Sequence, residues 1–228
     1  LKPTSAAQST YTSNKFDYNS AWLDNTSYNG IQSWMWKRGQ GCDIITYTGN
    51  GTAGRPIFHS LNQVPEMIWV KKRNDTSNWT VYNKGFNGGT NPEQYYLHLD
   101  ESVAENTGSD KWNDTAPTST HFTIGNSNSV NENTHTFIAM LFSSVTGISK
   151  VGSYTGTGSS GLSITVGFQP RFILFRGRNA GGPWRVLDSV RGLGTGDDKD
   201  LGLNNTAAQI TNFDWLDVTS TGWTINTT

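Results

Sequence analysis

The amino-acid sequence predicts an all-β fold: two tandem antiparallel β-sandwich domains of jelly-roll or Greek-key-like course, the second lacking its last strand. Three observations predict it. The chain carries an internal repeat of roughly 100 residues, it is rich in short apolar runs of period two, and turn residues separate those runs. No segment shows the sustained apolar stripe of a long helix.

The repeat begins at a glycine-rich motif that occurs twice. YTGNG at 47–51 returns as YTGTG at 154–158, and the two copies align onward from there. Paired glycines permit a turn with positive φ, so we interpret the motif as the turn that leads into each sandwich. The later matching pairs include Pro65 with Pro170, Arg73 with Arg178, Trp79 with Trp184, Leu97 with Leu201, and Ile124 with Ile225.

Individual strands follow from the pattern within each copy. PEMIWVKKR and PRFILFRGR each open with a proline and continue as a short apolar run that basic residues close. NWTVYN and PWRVLD alternate large and polar side chains, as strands with one buried face do. The connections between them are short and rich in Asn, Asp, Gly and Ser, which predicts antiparallel hairpins.

The repeat also predicts the domain organisation. Residues 41–147 form the first predicted sandwich and residues 148–228 the second, while residues 1–40 are expected to be a linker or the tail of a preceding unit with one strand. The first copy closes with an apolar segment, FIAMLF, that the second copy does not reach. We therefore expect a fragment of a longer polypeptide. IQSWMW precedes the first YTG motif where FIAMLF precedes the second.

Composition argues against several classes of function. The formal net charge is −1 and the pI is about 6.5, so we expect neither nucleic acid nor an anionic membrane as a partner. No apolar run approaches the roughly 18–20 residues of a membrane-spanning helix. Cys42 is the single cysteine, which excludes an internal disulfide framework.

No cofactor, metal or catalytic set stands out. GNGTAG lacks the Lys-Ser or Lys-Thr of a phosphate loop, and Ser60 and Ser189 lie in no nucleophile elbow. We therefore predict a protein that is not an enzyme. The histidines, which fall in separate predicted strands without repeated partners, are His59, His98, His121 and His135. The carboxylates that a glycosidase could use, none of them singled out by a motif, are Asp17, Asp24, Glu101, Glu105 and Asp214.

Residues that both copies share serve the shared fold. Trp79 with Trp184, and Arg73 with Arg178, are therefore interpreted as packing residues, the alternative being a sugar-stacking tryptophan beside a hydrogen-bonding arginine. Loops that differ between the copies are free to specialise. The largest differences are FNGGTNPEQ, ENTGSDKWNDT and GLGTGDDKD.

Two of these loops supply the predicted contact residues for a ligand or partner. Trp112 offers a stacking face flanked by Asp110 and Asp114, unless it belongs to the core as the comparably placed Trp215 suggests. In the acidic loop the side chains offering oxygen ligands, or a polar contact to a neighbouring subunit, are Asp197, Asp198 and Asp200. The alternatives there are calcium binding and a solvated loop partly balanced by Lys199.

The succession WKRGQGCDIITYTGNG, HSLNQVPEMIWVKKRNDTSNWTVY and GFQPRFILFRGR resembles a tandem domain of tailed-phage virion structural proteins, particularly marine ones, often described as tail-fibre-like. The resemblance covers Trp34 to Thr228. It implies a non-enzymatic fibre, tail or capsid appendage in the virion. Implied partners are other virion proteins, further copies of the chain with a trimer as one candidate, and a host surface glycan. A lectin-like carbohydrate-binding module is the alternative function, and a polysaccharide-degrading enzyme a third.

Overall fold

The computed structural model describes residues 36–226, which fold as fifteen strands and four short helical segments and confirm the all-β class. The strands are β1 (Cys42–Thr48), β2 (Arg55–Phe58), β3 (Met67–Lys72), β4 (Thr80–Asn83), β5 (Tyr95–His98), β6 (Asn106–Thr107), β7 (His121–Ile124), β8 (Thr136–Phe142), β9 (Ser163–Thr165), β10 (Phe172–Phe175), β11 (Arg185–Asp188), β12 (Asp198–Gly202), β13 (Ile210–Phe213), β14 (Leu216–Thr219) and β15 (Gly222–Ile225). The helical segments are two 3-10 turns, Phe86–Gly89 and Pro92–Gln94, and the single α-turns α1 (Ser109–Trp112) and α2 (Asn128–Asn131).

The first unit, strands β1–β8, is a two-layer sandwich. Its larger sheet has the order β1-β8-β3-β4-β5-β6, and the antiparallel pair β2-β7 forms the other layer. Both sheets are antiparallel throughout. Alternate residues of β8 are buried, as its period-two pattern predicts. The core between the layers includes Ile57 and Phe122 from the smaller sheet and Ile68, Val70, Phe137 and Leu141 from the larger one.

The second unit, strands β9–β15, repeats this plan. A four-stranded sheet, β10-β11-β12-β13, faces a three-stranded sheet, β14-β15-β9. Ile173 and Leu187 pack against Leu216, with Leu193 closing the core. The two units also share a hydrogen bond at corresponding positions. The main-chain N–H of Trp79 donates to Asp100 Oδ1 over 2.9 Å, and that of Trp184 donates to Asn204 Oδ1 over 2.8 Å.

The two units pack against each other through the outer faces of their larger sheets. The contact is an apolar cluster separate from either sandwich core, with Trp184 and Leu174 of the second unit among its members. The buried first-unit members are Trp69, Val81, Phe86, Leu97 and Leu99. The sheets therefore stack as four layers, and the duplicated tryptophan Trp184 holds the two units together.

The two units differ in the closing strand, which the sequence predicts to be missing from the second unit. β8 lies between β1 and β3 in the first unit and pairs with both. Within residues 36–226, the second unit contains no strand equivalent to β8, and none forms between residues 150 and 162. The strand predicted for residues 1–40 falls almost wholly in residues 1–35, outside the described residues. No helix within residues 36–226 is long and apolar enough to cross a membrane.

Candidate functional site

A cleft of 410 Å³ opens beside β5 and β6, at one edge of the six-stranded sheet. It borders the segment ENTGSDKWNDT, one of the loops that differ between the two copies. The lining residues are Tyr96, Leu97, His98, Glu101, Val103, Ala104, Glu105 and Asn106. An aromatic ring, an imidazole and two carboxylates thus share one concave surface.

Tyr96 and His98 stand two residues apart on β5 and so project from the same face of the strand. Their rings meet edge to face, with centroids 5.1 Å apart. Lys111 Nζ lies 5.0 Å from the Tyr96 ring centroid, close enough for a cation–π contact. Burial raises the pKa of Tyr96 above its ordinary value, so the ring keeps its hydroxyl proton at neutral pH.

Burial favours the neutral form of the His98 imidazole. Burial lowers the pKa of its imidazole below the usual value, against the opposing pull of Glu101 and Asp100. Glu101 Oε2 lies 4.0 Å from His98 Nε2, and Glu101 Oε1 accepts a hydrogen bond from Asn78 Nδ2 over 2.5 Å. The Nδ1 atom of the ring is buried without a hydrogen-bond partner among the described residues, so Nε2 is the ring nitrogen that can contact a bound hydroxyl group.

The second unit fixes the far wall of the cleft. Arg178 Nη1 donates to Glu105 Oε1 over 2.6 Å, while the main-chain N–H of Glu105 donates to the carbonyl of Arg178 over 2.8 Å. Arg176 Nη1 donates to the carbonyl of Glu101 over 2.7 Å. The loop that forms the cleft is therefore held by side chains more than 70 residues away in sequence.

Trp112 lies in the core. Its side chain is 2 % exposed, and it packs edge to face against Tyr82 and Phe122. Its Nε1 donates to the carbonyl of Tyr95 over 3.1 Å, which satisfies the one polar atom of the ring. The core interpretation is confirmed. The stacking-face interpretation is wrong, because no ligand can reach a ring that is covered on both sides.

The two acids predicted beside Trp112 have different surroundings. Asp110 Oδ2 pairs with Lys111 Nζ at 2.9 Å, and Lys111 in turn reaches over Tyr96, so Asp110 lies next to the cleft. Asp114 is exposed, with a positive φ of 46°, and does not line the cleft. The structure therefore brings Asp110, but not Asp114, toward the candidate site.

The acidic loop proves to be a strand. Asp198 and Asp200 lie on β12, which directs both carboxylates inward, whereas Asp197 just before the strand is exposed. Asp198 Oδ2 accepts the main-chain N–H groups of Trp215 and Leu216, each over 3.0 Å. Asp200 pairs with Arg185. The prediction that Asp198 and Asp200 contact a ligand or a neighbouring subunit is wrong, because both are buried inside the second unit.

Among the described residues, three side chains have ligand atoms close enough to share a metal ion: Asp75, Glu132 and His135. The ammonium group of Lys72 pairs with Glu132 and lies 3.7 Å from Asp75 Oδ2. His135 Nε2 lies 3.6 Å from the same Asp75 oxygen. Since Lys72 already supplies a positive charge to both carboxylates, we interpret this group as an ion-pair cluster.

The cleft residues Tyr96 and His98 were not among the residues predicted from the sequence, although the two copies of the repeat differ at both positions. By the repeat alignment they correspond to Asp200 and Gly202, so both positions change chemical type between the copies. Glu101 and Glu105, two of the five carboxylates considered for a glycosidase, meet in this cleft. Asp214 lies elsewhere, and Asp17 and Asp24 lie outside the described residues.

The model of a family described as "Domain of unknown function (DUF7483)" matches residues 4–228. No curated protein and no solved structure matches the chain.

Proposed function

We propose that this chain, which belongs to the DUF7483 family, is a non-enzymatic structural protein of a tailed-phage virion, forming part of a fibre, tail or capsid appendage. The observation that supports the proposal is the burial of charged and aromatic residues that could otherwise form a binding or catalytic site. Asp198, Asp200, Trp112 and Trp184 are all buried, and their hydrogen-bond and ion-pair partners are groups of the chain itself. The resemblance of the repeats to virion proteins supports a location in the virion.

The architecture supports the same proposal. Two sandwiches of one pattern are joined by a second apolar cluster between their larger sheets, so each repeat stabilises the next. Arg176 and Arg178 add hydrogen bonds from the second unit to the loop that follows β5 in the first. Such an arrangement suits a protein whose task is to hold a fixed spacing within a particle.

Particle composition tests the location. Particles of a tailed phage that encodes the chain are purified on a density gradient and analysed by quantitative mass spectrometry, with a non-virion phage protein as the control. We expect the chain to enter the particle fraction at a fixed ratio to the major capsid protein, while the control stays in the lysate. Its presence in the lysate and absence from particles would overturn the proposal.

A second candidate function is carbohydrate binding, and the cleft favours it. Tyr96 provides an aromatic ring, and His98, Glu101 and Asn106 provide hydrogen-bonding groups beside it. Sugars bind through this combination, because their C–H faces pack on rings while their hydroxyl groups need donors and acceptors. The same site would serve a virion appendage that attaches to a host surface glycan.

A glycan array followed by titration of any hit tests this function. We expect Tyr96→Ala to weaken binding by at least about tenfold, or ~1.4 kcal/mol, through loss of the ring. Phe58→Ala is the matched control, since Phe58 is 69 % exposed and does not line the cleft. An array without hits argues against the lectin role. Release of reducing ends that Glu101→Gln abolishes would show an enzyme instead.

A further inference from the structure

Two polar atoms in the cleft face each other across a gap that the oxygen of one hydroxyl group fits. His98 Nε2 and Glu101 Oε2 lie 4.0 Å apart, which is too far for a direct hydrogen bond but near enough for both atoms to contact one oxygen placed between them. The other carboxylate oxygen, Glu101 Oε1, already accepts a hydrogen bond from Asn78 Nδ2 over 2.5 Å. That bond holds the carboxylate in place, with Oε2 on the His98 side.

A hydroxyl group matches both atoms. An ionised carboxylate only accepts hydrogen bonds, so a ligand must donate to Glu101 Oε2, and a hydroxyl group can do so while its own oxygen accepts an N–H of His98. In the tautomer that leaves Nε2 without a proton, a neighbouring hydroxyl group of the same ligand can donate to it, and sugars carry such adjacent hydroxyl groups. An ionised carboxylate, sulfate or phosphate group of a ligand has no proton to donate and would repel Glu101 at this distance.

The charges around the cleft are already balanced by the protein. Glu105 Oε1 accepts a hydrogen bond from Arg178 Nη1 over 2.6 Å, and Glu105 Oε2 accepts the main-chain N–H of Asn87 over 3.2 Å. The guanidinium group of Arg176 attracts the carboxylate of Glu101 and donates to the main-chain carbonyl of the same residue over 2.7 Å. Two guanidinium groups therefore offset the two carboxylates, and a ligand charge of either sign would disturb that balance.

The remaining lining suits the carbon skeleton of a sugar. Leu97, Val103 and Ala104 are apolar, and Val103 is 52 % exposed, so its side chain is open to contact. The Tyr96 ring adds an aromatic surface. The volume of 410 Å³ falls within the range of about 300–1,000 Å³ that small-molecule sites occupy. Apolar contacts with a few placed polar groups are what an uncharged, polyhydroxylated ligand needs.

We propose that the cleft binds an uncharged sugar, with a hydroxyl group of the sugar between His98 Nε2 and Glu101 Oε2, and that it discriminates against acidic sugars. The sugar class is an addition to the carbohydrate-binding function proposed above, on which it rests. Glu101 determines the specificity, because its carboxylate accepts a hydrogen bond from a hydroxyl group and repels an anionic group. The favoured ligands are neutral hexoses, and the excluded ones are sialic acids, uronic acids and sulfated sugars.

The second unit holds the segment that carries Glu101. Asn204 Nδ2 donates to the carbonyl of Glu101 over 2.8 Å and to Ser102 Oγ over 3.0 Å. The main-chain N–H of Gly182 donates to the carbonyl of Ser102 over 2.8 Å. An added Cβ at Gly181 would lie 2.5 Å from the same carbonyl oxygen, so the two segments approach closely there. The cleft therefore has this shape only with both units packed, and the full-length chain is the protein to test.

Sugar pairs that differ in charge test the proposal. A glycan array carries neutral oligosaccharides beside their sialylated, uronic-acid and sulfated counterparts, and chitin oligosaccharides beside cationic chitosan oligosaccharides. The best neutral hit and its charged counterparts are then titrated by isothermal titration calorimetry. We expect the neutral member of each bound pair to bind at least about tenfold more tightly than the acidic one, or ~1.4 kcal/mol. Because charge causes the discrimination, raising the salt concentration from about 0.05 M to about 0.5 M should narrow it.

Two different failures are distinguishable. Binding of an acidic or a cationic sugar as tightly as its neutral counterpart would overturn the uncharged class while leaving carbohydrate binding intact. Failure of every sugar to bind would overturn the carbohydrate-binding function and the sugar class together.

Glu101→Gln tests the assigned determinant, since it removes the charge but keeps the size of the side chain and an oxygen that accepts hydrogen bonds. We expect the ratio of neutral to acidic affinity to fall by about fivefold or more. Asp114→Asn is the matched control, because Asp114 is exposed and does not line the cleft, and it should leave the ratio unchanged. An unchanged ratio for Glu101→Gln, in a protein whose far-UV circular dichroism matches that of the natural chain, would overturn the role of Glu101. If the variant does not fold, the salt series on the natural chain decides, and a ratio that salt does not change would overturn the same role.

Discussion

Trp184 of the second unit donates its indole N–H to the main-chain carbonyl of His98 in the first unit, over 3.0 Å. The ring is 4 % exposed and belongs to the apolar cluster between the units. The guanidinium carbon of Arg176 lies 5.6 Å from its ring centroid, and Arg176 also donates to the carbonyl of His98 over 3.0 Å. Trp184, which is the counterpart of Trp79 in the repeat, therefore joins the two units.

Trp184→Ala should therefore cost about 3–5 kcal/mol of unfolding free energy, the usual range for removing a buried tryptophan. Trp184→Phe keeps most of the apolar volume and should lose roughly 1 kcal/mol through the missing hydrogen bond, plus a smaller packing term. Urea denaturation followed by far-UV circular dichroism measures both. Val190→Ala, at an 80 % exposed site, is the control expected to stay within about 0.5 kcal/mol. A cost below about 1 kcal/mol for Trp184→Ala would contradict the interface.

Trp112→Ala should lower the unfolding free energy by about 3–5 kcal/mol and the melting temperature by several degrees, since the ring fills the first core. Its lost hydrogen bond to Tyr95 adds to the cavity cost. Differential scanning calorimetry provides the measurement. Phe58→Ala removes an exposed ring of the same unit and should change the melting temperature little. Equal effects of the two substitutions would show that Trp112 is not a core residue.

Gly125→Ala should destabilise the protein by about 1–3 kcal/mol or more, because the new methyl group has no space. An added Cβ would lie 2.1 Å from the carbonyl oxygen of Asp110, a main-chain atom that cannot rotate away. The segment carrying Asp110 and Lys111 beside the cleft must then shift. Gly177→Ala is the matched control, as an added Cβ there meets no atom within 4 Å. Chemical denaturation of both variants should separate them clearly.

Asp43 should stabilise the folded state at neutral pH and lose this effect in acid. Burial alone would raise the pKa of Asp43, but hydrogen bonds from Arg38, Ser60 and Ile44 lower it below the usual value. A carboxyl whose pKa is lower in the folded state contributes stability above its unfolded pKa of about 3.9, and the contribution disappears as pH falls through the folded pKa.

Asp43→Asn should accordingly cost about 1–3 kcal/mol at pH 7 and distinctly less at pH 3. Urea unfolding at the two pH values gives the difference. Asp197→Asn, at an exposed position, serves as the control for the loss of one negative charge. A cost for Asp43→Asn that is the same at both pH values would contradict the lowered pKa.

Local patterns in the sequence were sufficient for the strands that alternate cleanly. The runs PEMIWVKKR and PRFILFRGR contain β3 and β10, and the duplicated Trp79 and Trp184 make equivalent main-chain hydrogen bonds. Asp198 and Asp200 were misinterpreted because an acidic D-x-D pattern looks like a solvated loop. Asp200 pairs with Arg185, and Asp198 accepts the N–H groups of Trp215 and Leu216 at the start of β14. Only the folded chain brings these partners near.

The cleft could not be predicted from local sequence, because its walls come together only in the folded chain. Tyr96 and His98 alternate on β5 like any edge-strand residues, and nothing local distinguishes them from packing residues. The far wall of the cleft depends on Arg178, which reaches Glu105 only after the two units have packed together. A comparison of the copies could have identified the positions, through their replacement by Asp200 and Gly202, but not the concave shape.

Asp198 should have the opposite pH dependence to Asp43. Burial raises the pKa of Asp198 above the usual value, although the N–H groups of Leu216 and Trp215 act against this rise. Its Oδ1 is buried without a hydrogen-bond partner among the described residues. Because the folded state then holds the proton more tightly than the unfolded state, the unfolding free energy falls as pH rises from about 4 through the folded pKa.

Asp198→Asn replaces the carboxyl with an amide whose oxygen can accept the same two main-chain N–H groups and which does not ionise. We therefore expect the stability of the variant relative to the natural chain to increase between pH 4 and pH 7, whereas that of Asp43→Asn should change little over this interval, because the Asp43 contribution is lost mainly below about pH 4. Urea unfolding of the two variants and the natural chain, in one buffer series, measures both trends. If Asp198→Asn lost more stability at pH 7 than at pH 4, the buried carboxylate would be stabilised in its charged form, and a neighbouring cation or donor would have to account for it.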